Sequence, residues 1–203
     1  MKIICIGRNY ADHAKEMNAA VPSEPVFFLK PDTSLLKEGS DFYFPDFTQD
    51  LHYECELVVR IDKVGKNIAE KFAHKYYSSI SLGIDFTARD LQQKCKEKGL
   101  PWEIGKAFEH SAPISNTFLS KNDLNLNQLA FELHQNGKTV QKGNTKDMIF
   151  SIDQIIAYVS RFMTLKTGDL IYTGTPVGVG PVAIGDVLEG FIGSSKMFQF
   201  EVK

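Results

Sequence analysis

The chain has 203 residues, with 23 Lys and Arg against 25 Asp and Glu and a formal net charge of −2. That length suits one domain able to bury a sizeable core without disulfides or a structural metal. The near-neutral balance, with no basic stripe or block of like charge, excludes an electrostatic case for nucleic acid or a membrane surface. Cys5, Cys55 and Cys95 are odd in number and far apart, with no C-x-x-C pair or Cys/His cluster. A zinc finger or disulfide scaffold is therefore disfavoured, and reduced thiols in a cytoplasmic protein are expected. The opening MKIICIGRNY has too short an apolar run for a secretory signal, and no run approaches the ~18 apolar residues of a membrane span.

In chain order, KIICI (2–6) reads as a short buried strand ended by Gly7, and NYADHAKEM (9–17) contains nothing that breaks a helix. Two prolines punctuate AAVPSEP (19–25), and VFFLK (26–30) is a second strand stopped by Pro31. DFYFPDF (41–47) alternates weakly, and Pro45 confines it to an edge or strand end. LHYECELVVRI (51–61) is a strand, and SSISLGID (78–85) another, leading directly into the helix TARDLQQKCKEKG (87–99). Thr87 with Asp90 resembles a capping box, Ala88, Leu91 and Cys95 share one face, and Gly99 is the stop. LAFELHQNGKTVQKG (129–143) is a hairpin turning at Asn136-Gly137. SIDQIIAYVSRFMTL (151–165) is the clearest helix, capped by Ser151, with Ile152, Ile155, Ile156, Val159, Phe162 and Met163 as its apolar stripe. DLIYTGTP, DVLEGFI and KMFQFEV are strands. Strands and helices do not alternate regularly, so the expected class is α+β: a mixed, mostly β structure with a few packed helices. GxGxxG and Walker A loops are absent from the sequence.

The stretch 51–61 holds the most informative acids. Along a strand, alternate side chains share a face, so Leu51, Tyr53, Cys55, Leu57 and Val59 make a buried face. His52, Glu54, Glu56, Val58 and Arg60 make the other. Glu54 and Glu56 point the same way, with Cα atoms about 6.6 Å apart at ~3.3 Å rise per residue. Alone, E-x-E describes a half-exposed strand with a solvated charged face. Asp85, at the junction of a strand and the following helix, adds a third acid at a position suited to function. Three carboxylates would favour Mg²⁺ or Mn²⁺, or Ca²⁺, over Zn²⁺.

RNYADHAKEM (8–17), EPVFFLKP (24–31), HYECEL (52–57), GIDFTARDLQ (83–92), KGLPW…GKAFE (98–109), MIFSIDQIIAYVS (148–160) and IYTGTPVGVGP (171–181) occur in that order. Together they resemble the fumarylacetoacetate hydrolase superfamily, in its short acylpyruvase and oxaloacetate decarboxylase-like branch, over nearly the whole chain. The resemblance implies a β-roll forming one catalytic domain, 1–203, without the extra N-terminal domain of the longer hydrolase, and a homodimer. Residues 8–20 correspond to a mobile lid. It implies Mg²⁺ or Mn²⁺ on Glu54, Glu56 and Asp85, with His52 in support. His13 and Glu16 match a pair that acts on water, and Lys106 matches a lysine that anchors substrate or a developing oxyanion. Arg8, Arg89, Gln92, Thr173, Gly174 and Thr175 correspond to substrate contacts. Taken by themselves, His13-x-x-Glu16 is a surface pair, Arg89 and Gln92 are surface residues, and TGTP is a glycine turn.

The implied activity is metal-dependent hydrolysis of the C–C bond of acylpyruvates (2,4-dioxo acids), with decarboxylation or tautomerisation of oxaloacetate through a shared enolate. One alternative is an isomerase or decarboxylase of 2-oxo-dienedioates in aromatic catabolism, of the 2-hydroxyhepta-2,4-diene-1,7-dioate isomerase type. Another, from a different class, is a non-catalytic metabolite-binding module.

Overall fold

The computed structural model describes residues 1–16, 20–37 and 39–203. Residues 17–19 of the expected lid lie outside them. Among the described residues the strands form three sheets. The largest runs, from one edge, Phe27–Lys30, Ile3–Ile6, Leu170–Tyr172, Cys55–Ile61, Tyr77–Ile84, Ala112–Ile114 and Leu35–Lys37, with Leu119–Ser120 also paired to Tyr77–Ile84. Ile3–Ile6 runs parallel to Leu170–Tyr172, and Leu35–Lys37 parallel to Ala112–Ile114. The other pairings are antiparallel. A second, antiparallel sheet orders Lys138–Asn144, Ala130–Gln135, Val187–Ile192 and Ser195–Glu201, and a small third joins Gly180–Pro181, Leu51–Tyr53 and Thr87–Ala88. This mixed, mostly β architecture with short helices is the class expected from the sequence.

The cores follow from alternation. Cys55, Leu57, Val59 and Ile61 enter the main core with Leu133, Ile155, Ile156, Leu188 and Phe198. On the opposite face Val58 joins Ile3, Cys5, Ala112, Ile114, Leu170 and Tyr172 in a second apolar cluster. Both faces of this central strand are therefore buried, and the expected solvated face is limited to exposed Arg60. The second sheet approaches the first closely at Gly190, where a Cβ would lie 2.8 Å from the Leu82 side chain.

The local signals fare unevenly. Helix Ile152–Phe162 has the capping box of Ser151 and Gln154, and buries Ile152, Ile155, Ile156 and Val159 while Phe162 stays exposed. Asn136 and Gly137 turn the hairpin at φ 54° and 76°. Gly99 closes helix Arg89–Lys98 in the left-handed region. That helix, however, has no Thr87/Asp90 capping box: Ala88 is its N-cap. Thr87 instead donates to Glu54, and Asp90 accepts from the Thr48 hydroxyl at 2.6 Å and the Gln49 amide at 3.2 Å. DFYFPDF forms no strand, only an isolated bridge between Phe42 and Val202.

Candidate metal and substrate site

The strand expected over 51–61 is divided between two sheets, Leu51–Tyr53 in the small one and Cys55–Ile61 in the large one, with Glu54 at the joint. The segment paired with it makes the same crossing in reverse, from Tyr77–Ile84 through Asp85 to Thr87–Ala88. The register is unbroken across the bend: Leu51 faces Ala88, His52 faces Thr87, Cys55 faces Ile84 and Glu56 faces Gly83. Glu54 and Asp85 are thus opposite one another at the bend, and the Asp85 amide donates to the Glu54 carbonyl at 2.8 Å. Glu56, two residues along the same face, completes the group. Carboxylate oxygens of Glu54, Glu56 and Asp85 lie within 4.8 Å of one another, in residues only 6%, 1% and 1% exposed.

Such burial demands compensation. Lys106 Nζ lies 2.8 Å from Glu54 Oε2 and 2.8 Å from Asp85 Oδ2. Arg89 Nη2 lies 2.7 Å from Glu54 Oε1, which also accepts from the Thr87 hydroxyl at 3.1 Å. Burial works to raise the Glu54 carboxyl, but Lys106, Arg89 and His13 outweigh it and hold the group far below the usual range. Glu56 goes the other way. Burial, reinforced by Asp85 and Glu54, pushes it well above the ordinary carboxylate range, although the Gly174 amide donates to its Oε2 at 2.7 Å.

Lys30 was not anticipated by the sequence reading. Its Nζ donates to the Phe86 carbonyl at 3.2 Å and to the Ser111 carbonyl and hydroxyl at 2.8 and 2.9 Å, and lies 2.7 Å from Asp85 Oδ1. That contact is not directed as a hydrogen bond, so buried Asp85 Oδ1 lacks one among the described residues.

These features fit a hard divalent cation. The converging donors are all carboxylate oxygens, one buried oxygen lacks a directed donor, and the crowding by Asp85 and Glu54 that helps raise the Glu56 carboxyl is a repulsion that a cation would relieve. Lys106 bridges two of the three acids from the same side chain that was expected to face substrate.

His13 and Glu16 come together on helix Ala11–Glu16. His13 Nδ1 is 3.0 Å from Glu16 Oε2, and Glu16 Oε1 accepts the Gly178 amide at 3.0 Å. His13 is buried, unlike an ordinary surface pair. Arg8, His13, Glu54, Arg89, Gln92 and Lys106 all line one narrow cleft, along with Phe28, Lys96 and Trp102, which the sequence did not single out. Arg89 Nη1 donates to Gln92 Oε1 at 2.8 Å. Thr173 and Thr175 donate their hydroxyls to the Leu57 and Cys55 carbonyls at 3.0 and 2.9 Å. With the Gly174 amide on Glu56, the TGTP loop here holds the acidic strand. His52 Nε2 pairs with Asp50 at 2.8 Å.

The family model described as Fumarylacetoacetate (FAA) hydrolase C-terminal matches residues 2–198. The chain is 48% identical over 202 residues to oxaloacetate tautomerase FAHD1, mitochondrial, of Mus musculus, covering 99% of this chain and 91% of that protein. It is 44% identical over 204 residues to oxaloacetate decarboxylase, mitochondrial, of Dictyostelium discoideum, covering 99% and 93% respectively. Among solved structures, it matches fumarylpyruvate hydrolase from Pseudomonas aeruginosa in complex with Mn²⁺ and pyruvate with a TM-score of 0.93 at 38% identity, over 100% of this chain and 89% of that one.

Proposed function

The chain belongs to the fumarylacetoacetate hydrolase family, and on that premise we propose that it is a metal-dependent enzyme of small 2-oxo acids. It hydrolyses the C–C bond of acylpyruvates and decarboxylates or tautomerises oxaloacetate. The observation that carries this reading is the single cleft uniting Glu54 of the buried acid group with His13 of the His13–Glu16 pair and with Arg8, Arg89 and Lys106. Glu54, Glu56 and Asp85 would hold Mg²⁺ or Mn²⁺, which would supply Lewis-acid stabilisation of negative charge on the 2-oxo oxygen.

The side chains supply the rest. Arg8, Arg89 and Lys96 attract the substrate's carboxylates, and Lys106 donates to an oxygen that gains charge. Glu16 on Nδ1 fixes the His13 tautomer, leaving Nε2 as the base. For an acylpyruvate, His13 takes a proton from water as its oxygen attacks C4. The C3–C4 bond then breaks, C4 leaves as a carboxylic acid, and the electron pair passes into the pyruvate enolate, which is protonated at C3. Oxaloacetate loses CO₂ to reach the same enolate without attacking water. Its tautomerisation only transfers a proton between C3 and the 2-oxo oxygen. The two relatives named for oxaloacetate chemistry support including that substrate.

We assign residues 1–203 to one catalytic domain with residues 8–20 as its lid, and take the working form to be a cytoplasmic homodimer. Three free, buried cysteines accord with a reducing compartment.

The test is kcat/KM with Mg²⁺ or Mn²⁺ on acetylpyruvate, fumarylpyruvate, oxaloacetate and a ring-cleavage dienedioate. His13→Ala is expected to lower acylpyruvate hydrolysis by about 10²–10⁴-fold and oxaloacetate decarboxylation much less. Equal losses would reject the division of roles, and full activity in excess chelator would reject the metal. A dienedioate preferred over all other substrates would favour the isomerase reading, and binding without any turnover a non-catalytic module.

A further inference from the structure

We propose that Gln141 is a positioning residue that sets the geometry of the Glu54–Glu56 carboxylates; the proposal rests on the metal reading of that site. Gln141 belongs to strand Lys138–Asn144 of the second sheet, yet its side chain, in a residue 2% exposed, reaches the acidic strand of the first. Its Oε1 accepts the amide of Cys55, the residue between the two glutamates, at 2.9 Å. Its Nε2 donates to the Thr175 hydroxyl at 2.9 Å and the Pro176 carbonyl at 3.0 Å.

The need for this side chain follows from the sheet. Leu170–Tyr172 pairs with Val58–Arg60 and ends before Thr173. Beyond that point the ladder no longer serves the edge at Cys55, whose buried backbone groups still require partners. Side chains take over: Thr175 donates to the Cys55 carbonyl and Gln141 accepts from the Cys55 amide. The Thr175 proton is committed to Cys55, so its oxygen is free to accept from Gln141. A flipped Gln141 amide would set N–H against N–H and oxygen against oxygen, so only one orientation satisfies the network. The same departure of the chain lets the Gly174 amide reach Glu56 at 2.7 Å. Gln141 therefore spans the gap between the ligand strand and the loop that holds Glu56, and fixes its width.

The preceding residue extends this brace to the base. A Cβ on Gly178 would lie 2.5 Å from the Val140 carbonyl, and the amide of Gly178 holds Glu16, the partner of His13. Val140 thus lies against the glycine whose amide holds Glu16, and Gln141 against the backbone between the two glutamates, on one strand.

The experiment measures Mn²⁺ affinity of metal-stripped, folded protein by calorimetry, with the Mn²⁺ paramagnetic resonance spectrum as a second readout. Gln141→Met, similar in length but without an acceptor or donor, is expected to weaken Mn²⁺ binding about 10–100-fold and to alter the spectrum. Thr175→Val reads the same network from its other end and is expected to weaken binding in the same direction, so it decides the matter if Gln141→Met does not fold. Ser160→Ala is the control. It removes the hydroxyl that accepts the buried Ile68 amide at 2.9 Å, in helix Ile152–Phe162, and is expected to lower Tm while leaving Mn²⁺ affinity unchanged. Wild-type affinity in the Gln141 or Thr175 variant, or an equal loss of affinity in Ser160→Ala, overturns the proposal. Wild-type protein that binds no Mn²⁺ overturns the metal reading itself, a result distinct from equal binding by wild type and variant.

Discussion

Lys30 shows how a single residue's role depends on what the fold brings to it. Its ammonium is removed from solvent and sits 2.7 Å from Asp85 Oδ1. Deleting one member of a buried ion pair strands the other's charge, at a cost of about 3–5 kcal/mol. Lys106 still contacts Asp85, so about 3–5 kcal/mol is the upper bound for the destabilisation expected of Lys30→Met in the metal-free protein, measured by urea unfolding. Adding Asp85→Asn to it removes the stranded charge, so the double variant should be less destabilised than the sum of the single ones. Strict additivity would show that the two groups do not compensate each other. Nothing local to VFFLK marks Lys30 as buried, because a lysine before a proline at a strand end ordinarily reaches water. The Phe86 carbonyl and Ser111 that hold it are remote in sequence. Glu54 and Glu56 were readable because strand alternation is local, whereas their burial was not. The pairing of His13 with Glu16 was likewise implicit in i, i+3 spacing, but its enclosure in the cleft is tertiary.

Individual elements follow the same division. The Asn136-Gly137 hairpin, the Ser151 capping box and the Gly99 stop each depend on neighbours within a few residues, and sequence chemistry located them. Thr87 and Asp90 have capping chemistry too, but Glu54 and Thr48 claim their side chains, so tertiary partners override the local motif. The bend at Glu54 depends on two sheets and leaves no mark in an uninterrupted β-like run. Asp186 is a comparable tie between elements. It accepts from the Ala183 amide, the Gln135 side chain and the Asn136 side chain, each at 2.7 Å, joining the hairpin turn to the start of Val187–Ile192. Burial would raise its carboxyl, but these hydrogen bonds prevail and lower it. A carboxylate depressed by folding contributes stability above its unfolded pKa of about 3.9 and loses that contribution as pH falls through its folded value. Asp186→Asn should thus destabilise by about 1–2 kcal/mol near pH 7, and the difference should shrink progressively below about pH 4. Urea titrations of both proteins across that window check it; a difference undiminished at the acid end would assign the effect to something other than the charged carboxylate.

At the scale of the molecule, the acids lie where one antiparallel ribbon passes between sheets, so a cation bound there ties both segments of the bend. Whether folding requires that tie is decided by the charges already present. Lys30, Lys106 and Arg89 contact Asp85 and Glu54 directly, while the Glu56 carboxylate accepts the Gly174 amide. The protein thus has its own means of neutralising the acids, unlike small domains in which metal binding supplies the folding free energy. Metal-stripped protein should consequently keep its circular dichroism spectrum and a cooperative thermal transition, while losing activity on 2-oxo acids. Restoring Mn²⁺ at a hundredfold excess over Kd should add about 2.7 kcal/mol of stability, equivalent to a rise in Tm of roughly 5–10 °C for a chain of this size. Differential scanning calorimetry across a Mn²⁺ series separates the possibilities. Unfolding on chelation would make the ion a structural element and show that the lysines and arginine do not suffice. An unchanged Tm despite saturation would mean that the ion binds the unfolded chain equally well, which the dispersal of Glu54, Glu56 and Asp85 in an unfolded ribbon argues against.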